Sequence, residues 1–253
     1  LRAAHPRVAE HLERGVRGEI PETPKPPSAV PAIRTSRGRE PADPTSAASL
    51  AHVTTTIVAS NAIVVRALAD QLRVDGVTIA GVRTQVQGDA SDVARQLARA
   101  ALAAAQSVPP DARAALVWGG ETTVDASRAT GIGGRNQELA LAAAIELDRA
   151  ARGQQVASGQ ASAARRISVL ALATDGVDGP TDAAGAMVDA STCASARAAG
   201  LDPAAALANH DSYTFFARLD AAHPNSPPSL IRTGPTGTNV NDVLVALIEP
   251  AGA

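Results

Sequence analysis

Apolar residues recur at helical spacing in some segments of the first half of the chain and form β-branched runs in others. The runs VTTTIVAS and VTIAGVRTQVQ are typical of strands. One helical segment ends at Gly76, which serves as a C-terminal cap, and another begins at Ser91, which serves as an N-terminal cap. The predicted elements are helices at 1–20, 61–76 and 91–108 and strands at 53–60 and 77–87. From 53 onward, the alternation of strand and helix predicts a parallel sheet covered by helices.

Two segments interrupt this pattern. Residues 21–46 are rich in Pro, Ser, Thr and charge, with almost no apolar periodicity, and we expect a long surface connection there. The segment VPPDAR at 108–113 is typical of a boundary, so we predict two units, 1–108 and 109–253.

The second half of the chain continues the alternation of strands and helices. We predict strands at 113–120 and 167–174, and for 241–250 the periodicity allows either a strand or a helix. The predicted helices are 136–150, 191–200, 202–209 and 212–219. The fold class is therefore α/β, with parallel or mixed sheets flanked by helices.

Composition narrows the class of protein. The 253 residues carry a net charge of −2, with one Trp, one Tyr, two Phe and no long basic run, which argues against nucleic-acid binding. No apolar run is long enough to span a bilayer and no signal peptide is evident, so we expect a cytoplasmic protein without a membrane partner. Lys25 is the only lysine, so any side chain that binds an anion is expected to be arginine. The lone Cys193 predicts a buried small apolar residue.

Four polar clusters adjoin the apolar elements of the second half. They are GGETTV at 119–124, GIGGRNQE at 131–138, TDGVDGPTDAAGA at 174–186 and TGPTGTNVND at 233–242. Ligands of open α/β sheets bind at the carboxyl ends of strands, where such loops converge. Loops that combine Gly with Thr, Asn and Asp offer backbone N–H donors and oxygen ligands, which suit a phosphorylated ligand and its Mg²⁺ ion.

The second cluster places three glycines directly before a helix. Gly131, Gly133 and Gly134 would let the backbone approach a ligand, and the helix N-terminus favours an anion. Arg135 adds a planar fork of donors suited to a phosphate or a carboxylate. The alternative is a tight turn followed by an ordinary capped helix.

The third cluster carries Asp175, Asp178 and Asp182 directly after a predicted buried strand. Asp175 is nearest the strand, so we favour it as a ligand of Mg²⁺ or as the acceptor of a proton from an attacking hydroxyl. The alternative is a set of aspartates that form Asx turns. If Asp175 and Arg135 share one cleft, their side-chain tips should lie within roughly 10 Å.

A further pair, His210 and Asp211, suggests a catalytic dyad at first sight. Neighbouring residues often point apart, and Asp211 is better interpreted as a helix cap, with Ser212 as the other candidate for that cap.

Taken together, these clusters resemble the type-II glycerate kinases, the glycerate 2-kinase family whose C-terminal part is called the MOFRL domain. The resemblance covers residues 115–248 through GGETTV, GGRNQELAL, TDGVDGPTDAAGA, NHDSYTFF and TGPTGTNVND, in the family's order. The upstream part is similar more loosely, through ETPK, IVASN and GDA, to the tail of the family's Rossmann-like first domain. Departures include Trp118 where the family usually has Ser and His210 where it usually has Asn.

The resemblance implies transfer of the γ-phosphoryl group of ATP to the 2-hydroxyl of D-glycerate, or a related sugar acid, with a divalent metal such as Mg²⁺. It also implies a longer N-terminus with a catalytic lysine that Lys25 does not match. The chain opens with Leu1 rather than Met, so we expect an N-terminally truncated enzyme, compatible with a homo-oligomer.

The candidate site has three groups of residues. The catalytic candidates are Arg135 and Asp175, and the metal candidates are Asp175 and Asp178. The candidates for binding substrate or phosphate are Gly119, Gly120, Glu121, Gly133, Gly134, Asn136, Thr236, Gly237, Thr238 and Asn239.

Two other functions compete with the kinase. One is a non-catalytic fragment that binds a small anionic metabolite. The other is a hydroxypyruvate reductase, which is disfavoured because the glycines at 131–134 have the spacing Gly-x-Gly-Gly and not the dinucleotide-binding spacing Gly-x-Gly-x-x-Gly.

Overall fold

The computed structural model of the chain describes residues 6–20, 56–125, 127, 129–158 and 166–250. The chain divides into two compact units, Leu1–Val58 and Ala59–Ala253. In the first unit, helix α1 spans Pro6–Val16 and confirms the helix predicted at 1–20. The surface connection predicted at 21–46 lies outside the described residues.

The second unit contains one sheet and the helices that cover it. Its helices are α2 (Asn61–Val74), α3 (Ala90–Ser107), α4 (Arg135–Ser158), α5 (Thr192–Ala198), α6 (Pro203–Ala208) and α7 (Ser212–Ala222). Its strands are β1 (Thr78–Asp89), β2 (Ala114–Thr123), β3 (Arg166–Ala173), β4 (Gly185–Asp189), β5 (Leu230–Ile231) and β6 (Asp242–Glu249). The predicted α/β class is confirmed, and none of the helices in the described part of the chain is long and apolar enough to cross a membrane.

The sheet is mixed, with the strand order β1-β2-β6-β3-β4-β5. Only β1 and β2 form a parallel pair, and the other neighbours are antiparallel. The segment at 241–250, for which the pattern allowed either structure, is the central strand β6, and a central position explains its nearly continuous apolar sequence. Strands β4 and β5 were not predicted, because both are short and β4 begins with Gly185 and Ala186.

One predicted strand is wrong where it can be checked. Residues 53–55 of VTTTIVAS lie outside the described residues, and 56–60 form neither strand nor helix. Ile57 is 70% exposed there and Val58 is 88% exposed. β-branched residues favour strands through packing on a sheet, and these side chains have no such surface to pack against.

The boundary predicted at 108/109 falls inside the second unit. Strand β1 lies before that boundary and β2 after it, yet the two pair in parallel from Thr78 opposite Ala114 to Asp89 opposite Thr123. Because these hydrogen bonds join the two sides of VPPDAR into one sheet, the chain does not divide there. The Rossmann-like character of the upstream part stays a prediction.

Helices cover one face of the sheet and part of the other. The larger core lies between one face and helices α3 to α7, with Phe216, Leu97 and Leu141 among its fully buried side chains. On the other face, helix α2 packs Val65 and Ala69 against β2. Helix α2 confirms the prediction for 61–76, and Gly76 adopts the predicted positive φ of 75° after its end. Helix α3 is capped by Asp89 instead of the predicted Ser91, because the Asp89 carboxylate accepts the Asp92 N–H.

The register of the sheet brings three polar clusters to one edge. Gly120 of β2 lies opposite Asp242 at the start of β6, and Asp242 lies opposite Ala173 at the end of β3. Strands β2 and β3 both run toward this edge, since each is antiparallel to β6. The loops after β2 and β3 and the loop before β6 therefore meet at one edge of the sheet, as the carboxyl-end rule predicted.

Gly120 provides a test of the packing at this edge. A Cβ atom at Gly120 would lie 2.0 Å from the Val86 carbonyl oxygen, beside a bulge in β1 where Gln85 has a φ of 59°. We predict that Gly120→Ala destabilises the fold by about 1–3 kcal/mol, the usual cost of overpacking. Gly153 lies exposed within α4 with open space around it, so Gly153→Ala should stabilise by up to about 1 kcal/mol. Urea unfolding of both variants measures the difference, and equal midpoints would contradict the prediction.

Cys193 provides a second test. It is buried as predicted, and burial raises the pKa of its thiol to about 12. At pH 8 almost none of the thiol is ionised, so we expect the native chain to resist a thiol reagent such as dithionitrobenzoate and the urea-unfolded chain to react fully. Rapid labelling of the native chain would show that the thiol is accessible and ionised.

Candidate functional site

The first turn of α4 binds a carboxylate from the chain itself. The two oxygens of Asp178 accept the backbone N–H groups of Asn136 and Gln137 at 3.1 and 2.9 Å. They also accept the side-chain amides of the same two residues, at 3.3 and 3.1 Å. The helix N-terminus thus carries the anion that its dipole favours, and that anion is Asp178.

This arrangement bears on the metal prediction for Asp178. Its side chain is buried and its four hydrogen bonds use the acceptor positions that a carboxylate offers. Burial raises the pKa of Asp178, and the hydrogen bonds from Gln137 and Asn136 oppose that rise. The geometry therefore favours a structural role for Asp178 and for Asn136, a predicted ligand residue.

The glycines of the opening turn make room for protein groups. A Cβ atom at Gly134 would lie 2.3 Å from the Asp178 carboxyl carbon, and one at Gly133 would lie 2.2 Å from Ser212 Oγ. This close packing supports the tight-turn interpretation. The backbone N–H groups of Gly133, Gly134 and Arg135 nevertheless have no acceptor within the described part of the chain, so the phosphate-binding prediction stays open.

The glycines that end β2 pack in a similar way. A Cβ atom at Gly119 would lie 2.3 Å from Val65 Cγ2 and 2.5 Å from Asn61 Oδ1, so this glycine lets α2 approach the sheet. Asn61 in turn donates to the backbone oxygens of Val240 and Asp242. Gly119 and Gly120 therefore shape the edge of the sheet, and a role for them in binding a ligand stays a prediction.

Arg135 is held by a buried carboxylate. Its Nε and one terminal nitrogen donate to the two oxygens of Asp242 at 2.6 and 2.9 Å, a bidentate pair. Its other terminal nitrogen lies 3.5 Å from Glu121 Oε1, whose side chain is 52% exposed. The hydrogen bond to Asp242 raises the pKa of Arg135, so its positive charge is secure at every physiological pH. The guanidinium is thus fixed on one side and contacts an exposed carboxylate on the other.

A cavity of about 460 Å³ lies in front of this guanidinium. It is lined by the end of β2, by the glycine turn and by the first turn of α4, including Glu121, Thr122, Gly133, Gly134 and Arg135. The Thr122 hydroxyl is buried and has no hydrogen-bond partner within the described residues. That oxygen has almost no accessible surface, so the donor that the cavity offers to a small polar anion is the fixed guanidinium of Arg135.

His210 and Glu138 complete the wall of the cavity. His210 Nδ1 lies 2.7 Å from Glu138 Oε2, and the carboxylate is buried. The sequence pattern did not pair these residues, because 72 positions separate them and the neighbouring Asp211 was the obvious partner. Asp211 precedes α7 but makes no side-chain cap, since its carboxylate accepts the Ile132 N–H instead. The hydroxyl of Ser212, the other candidate for that cap, is buried and has no hydrogen-bond partner among the residues that the structure describes.

The acidic loop forms a second group of contacts at the same edge. Asp175 accepts the Val177 N–H through one oxygen and the Asn239 side-chain amide through the other, at 3.1 and 3.2 Å. Thr236 donates its hydroxyl to the Thr174 carbonyl and its N–H to the Asp175 carbonyl. The structure thus brings the predicted residues Asp175, Thr236 and Asn239 together, with Gly237 and Thr238 in the same turn.

The two groups are joined through the start of β6. The Thr174 N–H donates to the Asn241 carbonyl, and the next residue, Asp242, holds Arg135. Asp175 and Arg135 therefore belong to the same edge of the sheet, as expected. Their common cleft and the 10 Å separation of their tips stay predictions.

Comparison with known proteins agrees with this architecture. The profile of the MOFRL family matches residues 114–242, which contain β2, the glycine turn, the acidic loop and the start of β6. The chain belongs to the MOFRL family.

Relatives of this MOFRL protein include enzymes of glycerate metabolism. A glycerate 2-kinase of Pyrococcus horikoshii is 32% identical over 95% of the chain and 45% of its own length. A protein of Agrobacterium vitis, named provisionally as a hydroxypyruvate reductase, is 38% identical over 76% of the chain and 45% of its own length. The crystal structure of a glycerate kinase from Thermotoga maritima superposes with a TM-score of 0.62 and 35% identity, over 76% of the chain and 41% of that protein. The resemblance to glycerate kinases is confirmed, and the chain spans less than half the length of these relatives.

The Asp178 contact at α4 can be tested by removing its charge. In Asp178→Asn, an NH₂ group replaces the carboxylate oxygen that accepts from Gln137, so two buried donors lose their acceptor. We expect the free energy of unfolding to fall by about 1–3 kcal/mol. The matched control is Asp182→Asn in the same loop, whose exposed carboxylate accepts from Tyr213 and Arg232. Urea unfolding at pH 7 should rank Asp178→Asn as clearly less stable than the control, and the reverse order would contradict the capping role.

Proposed function

We propose that this chain carries part of the active site of an ATP-dependent glycerate 2-kinase, which converts D-glycerate to 2-phosphoglycerate. The observation that carries the proposal is the guanidinium of Arg135, which Asp242 fixes at the wall of a cavity, within a chain of the MOFRL family. Phosphoryl transfer depends mainly on positioning and on charge stabilisation, and a fixed cation at a small polar cavity supplies both.

In this proposal Arg135 binds the anion through the side of the guanidinium that faces Glu121. Asp242 is buried and bidentate, so it keeps Arg135 in place when a ligand enters. Glu121 is half exposed and its contact with Arg135 is long, so a substrate carboxylate or a phosphoryl oxygen replaces it at little cost. The N–H groups of Gly133 and Gly134 then add donors to the same anion.

Asp175 fits the remaining requirement of the reaction, a ligand for Mg²⁺. Each of its oxygens accepts a single hydrogen bond, so acceptor positions remain on both. Mg²⁺ usually keeps several waters and takes one or two protein carboxylates, which agrees with one aspartate at an exposed loop. Bound to the phosphates of ATP, the ion would neutralise charge that develops during transfer.

Thr236, Gly237, Thr238 and Asn239 act in this proposal by holding the acidic loop. The Thr236 hydroxyl and the Asn239 amide both bind the segment Thr174–Asp175, which fixes the direction of the carboxylate. These four residues lie in an exposed turn, so their remaining polar groups are available to a nucleotide or a sugar acid.

A second candidate is a chain that binds a small anion without turnover. It would use the same contacts, because a fixed guanidinium at the wall of a small cavity binds an anion whether or not a phosphoryl group is transferred. A hydroxypyruvate reductase, the provisional name of one relative, stays disfavoured because the glycine spacing at 131–134 does not fit a dinucleotide.

These functions are separated by three measurements on the chain. Release of ADP in a coupled assay with D-glycerate and Mg-ATP supports the kinase, and ³¹P NMR of the product distinguishes 2-phosphoglycerate from 3-phosphoglycerate. Calorimetric binding of D-glycerate or Mg-ATP without ADP release supports the anion-binding fragment. Oxidation of NADH by hydroxypyruvate would support the reductase and contradict the kinase.

Arg135→Lys tests the role of the guanidinium. A lysine keeps the charge but cannot reproduce the fork, so we expect a loss of turnover of about 10²-fold. The substitution also removes hydrogen bonds from buried Asp242, so some loss of stability should accompany it.

The matched control is Arg166→Lys, which alters an exposed pair with Glu249 on the same sheet, away from the cavity. Circular dichroism at the assay temperature confirms that each variant is folded. Turnover of folded Arg135→Lys equal to that of the control would remove Arg135 from the site.

A further inference from the structure

His210 and Glu138 form a pair of ionisable side chains that the proposed function does not use. Glu138 lies in the first turn of α4, three residues after Arg135, and His210 lies just before α7. Both line the cavity in front of Arg135, and the His210 Nδ1 atom is 2.7 Å from the buried Glu138 carboxylate. A histidine oriented by a buried carboxylate is the arrangement found in many general bases.

The contact with Glu138 fixes which ring nitrogen can serve a ligand. An ionised carboxylate only accepts hydrogen bonds, so the neutral ring carries its proton on Nδ1 and keeps a lone pair on Nε2. Nε2 makes no hydrogen bond within the described part of the chain. The side chain is 28% exposed and lines the cavity, so the ring can be reached by a small ligand.

The backbone holds His210 in an uncommon conformation. Its φ is 53°, in the left-handed region that costs energy for a residue with a side chain. Contacts on both sides maintain it: Gly131 donates its N–H to the Asn209 carbonyl, and the Tyr213 N–H donates to the Ile132 carbonyl. The glycine turn therefore positions His210 as well as α4, and both reach the same cavity.

We propose that His210 is the general base that removes the proton from the substrate hydroxyl, an inference that depends on the proposed kinase function. The hydroxyl O–H bond breaks and its proton passes to Nε2. The oxygen forms a bond to the γ-phosphorus while the bond from that phosphorus to the bridging oxygen of ADP breaks, and ADP leaves with the electron pair. Glu138 stabilises the imidazolium that results, because its carboxylate accepts the Nδ1–H throughout.

The other charged groups around His210 are consistent with this role. Asp125, in the loop after β2, interacts with His210 electrostatically, and Glu121 and Arg135 lie on the wall of the same cavity. Glu138 contacts Nδ1, and Arg135 on the same wall holds the anionic substrate in this proposal. The adjacent Asp211 is occupied by the Ile132 N–H.

The first experiment measures the tautomer of His210 without relying on turnover. Long-range ¹H–¹⁵N correlation NMR of the ¹⁵N-histidine-labelled chain, with His210→Gln to assign the signals, identifies which nitrogen carries the proton. We expect a neutral ring protonated on Nδ1, and a measurable shift toward the Nε2 form in Glu138→Gln. A neutral ring protonated on Nε2 in the wild-type chain would overturn the proposal.

The second experiment measures kcat and KM against pH with D-glycerate and Mg-ATP. Wild-type turnover should fall toward acid pH, because a protonated imidazole cannot accept the substrate proton. His210→Gln should lower kcat by about 10²-fold or more, remove that acid limb and leave the KM for glycerate nearly unchanged. A His210→Gln variant with wild-type kcat and the same acid limb would overturn the proposal and would point to Asp175 as the base.

The matched control is His223→Gln, which alters a histidine at the other end of α7 whose Nδ1 lies 3.1 Å from the Leu219 carbonyl oxygen and which does not line the cavity at Arg135. This variant should retain wild-type kcat. No turnover in the wild-type chain contradicts the proposed kinase, whereas an Nε2-protonated His210 contradicts the base assignment whether or not the chain turns over.

Discussion

The carboxylate of Asp178 at the first turn of α4 is the contact on which the arrangement of the cavity depends. It joins the loop after β3 to the start of the long helix that carries Arg135 and Glu138. Gly134 must lack a side chain for that carboxylate to fit, and Gly179 approaches the same turn so closely that a Cβ atom there would lie 2.5 Å from the Gly133 carbonyl oxygen. A helix N-terminus commonly attracts an anion from solution. Here a buried internal carboxylate occupies it, and the neighbouring N–H groups of Gly133, Gly134 and Arg135 have no acceptor among the described residues.

The positive charge of Arg135 is likewise balanced by carboxylates of the chain itself. Two carboxylates, Asp242 and Glu121, contact this one guanidinium, and they differ in burial and in geometry. The buried one forms the short bidentate contact with the guanidinium, and the exposed one lies farther away. The chain has a single lysine, so its cation at this site is an arginine. The two carboxylates hold that arginine rigidly and keep it paired in a partly apolar site.

The elements with strong periodicity could be predicted from sequence, and those that depend on long-range pairing could not. Helix α2 and strand β3 follow from helical spacing with a glycine end signal and from an apolar run. The strand predicted for VTTTIVAS is absent at 56–60, because β-branched residues form a strand only where they can pair with and pack on a sheet. The antiparallel position of β6 between β2 and β3 depends on pairing across more than a hundred residues, which a local pattern does not encode.

The site shows the same limit. Sequence motifs placed Arg135, Asp175 and Glu121 at one edge, because loops after neighbouring strands converge there. The partners that decide their roles, Asp242 for Arg135 and Glu138 for His210, lie 107 and 72 residues away, so no spacing rule could pair them. Asp178 was interpreted as a metal candidate because its capping of a distant helix is equally invisible in the sequence.

The central place of β6 has a consequence for how the protein is made. This strand is the last element of the described chain, yet it separates β2 from β3 and supplies Asp242. During synthesis, both flanking strands and every cavity residue are made before β6 is. Until then β2 and β3 have no partner between them, and Arg135 has no buried carboxylate. A chain without β6 would therefore have neither a continuous sheet nor the buried carboxylate that holds Arg135.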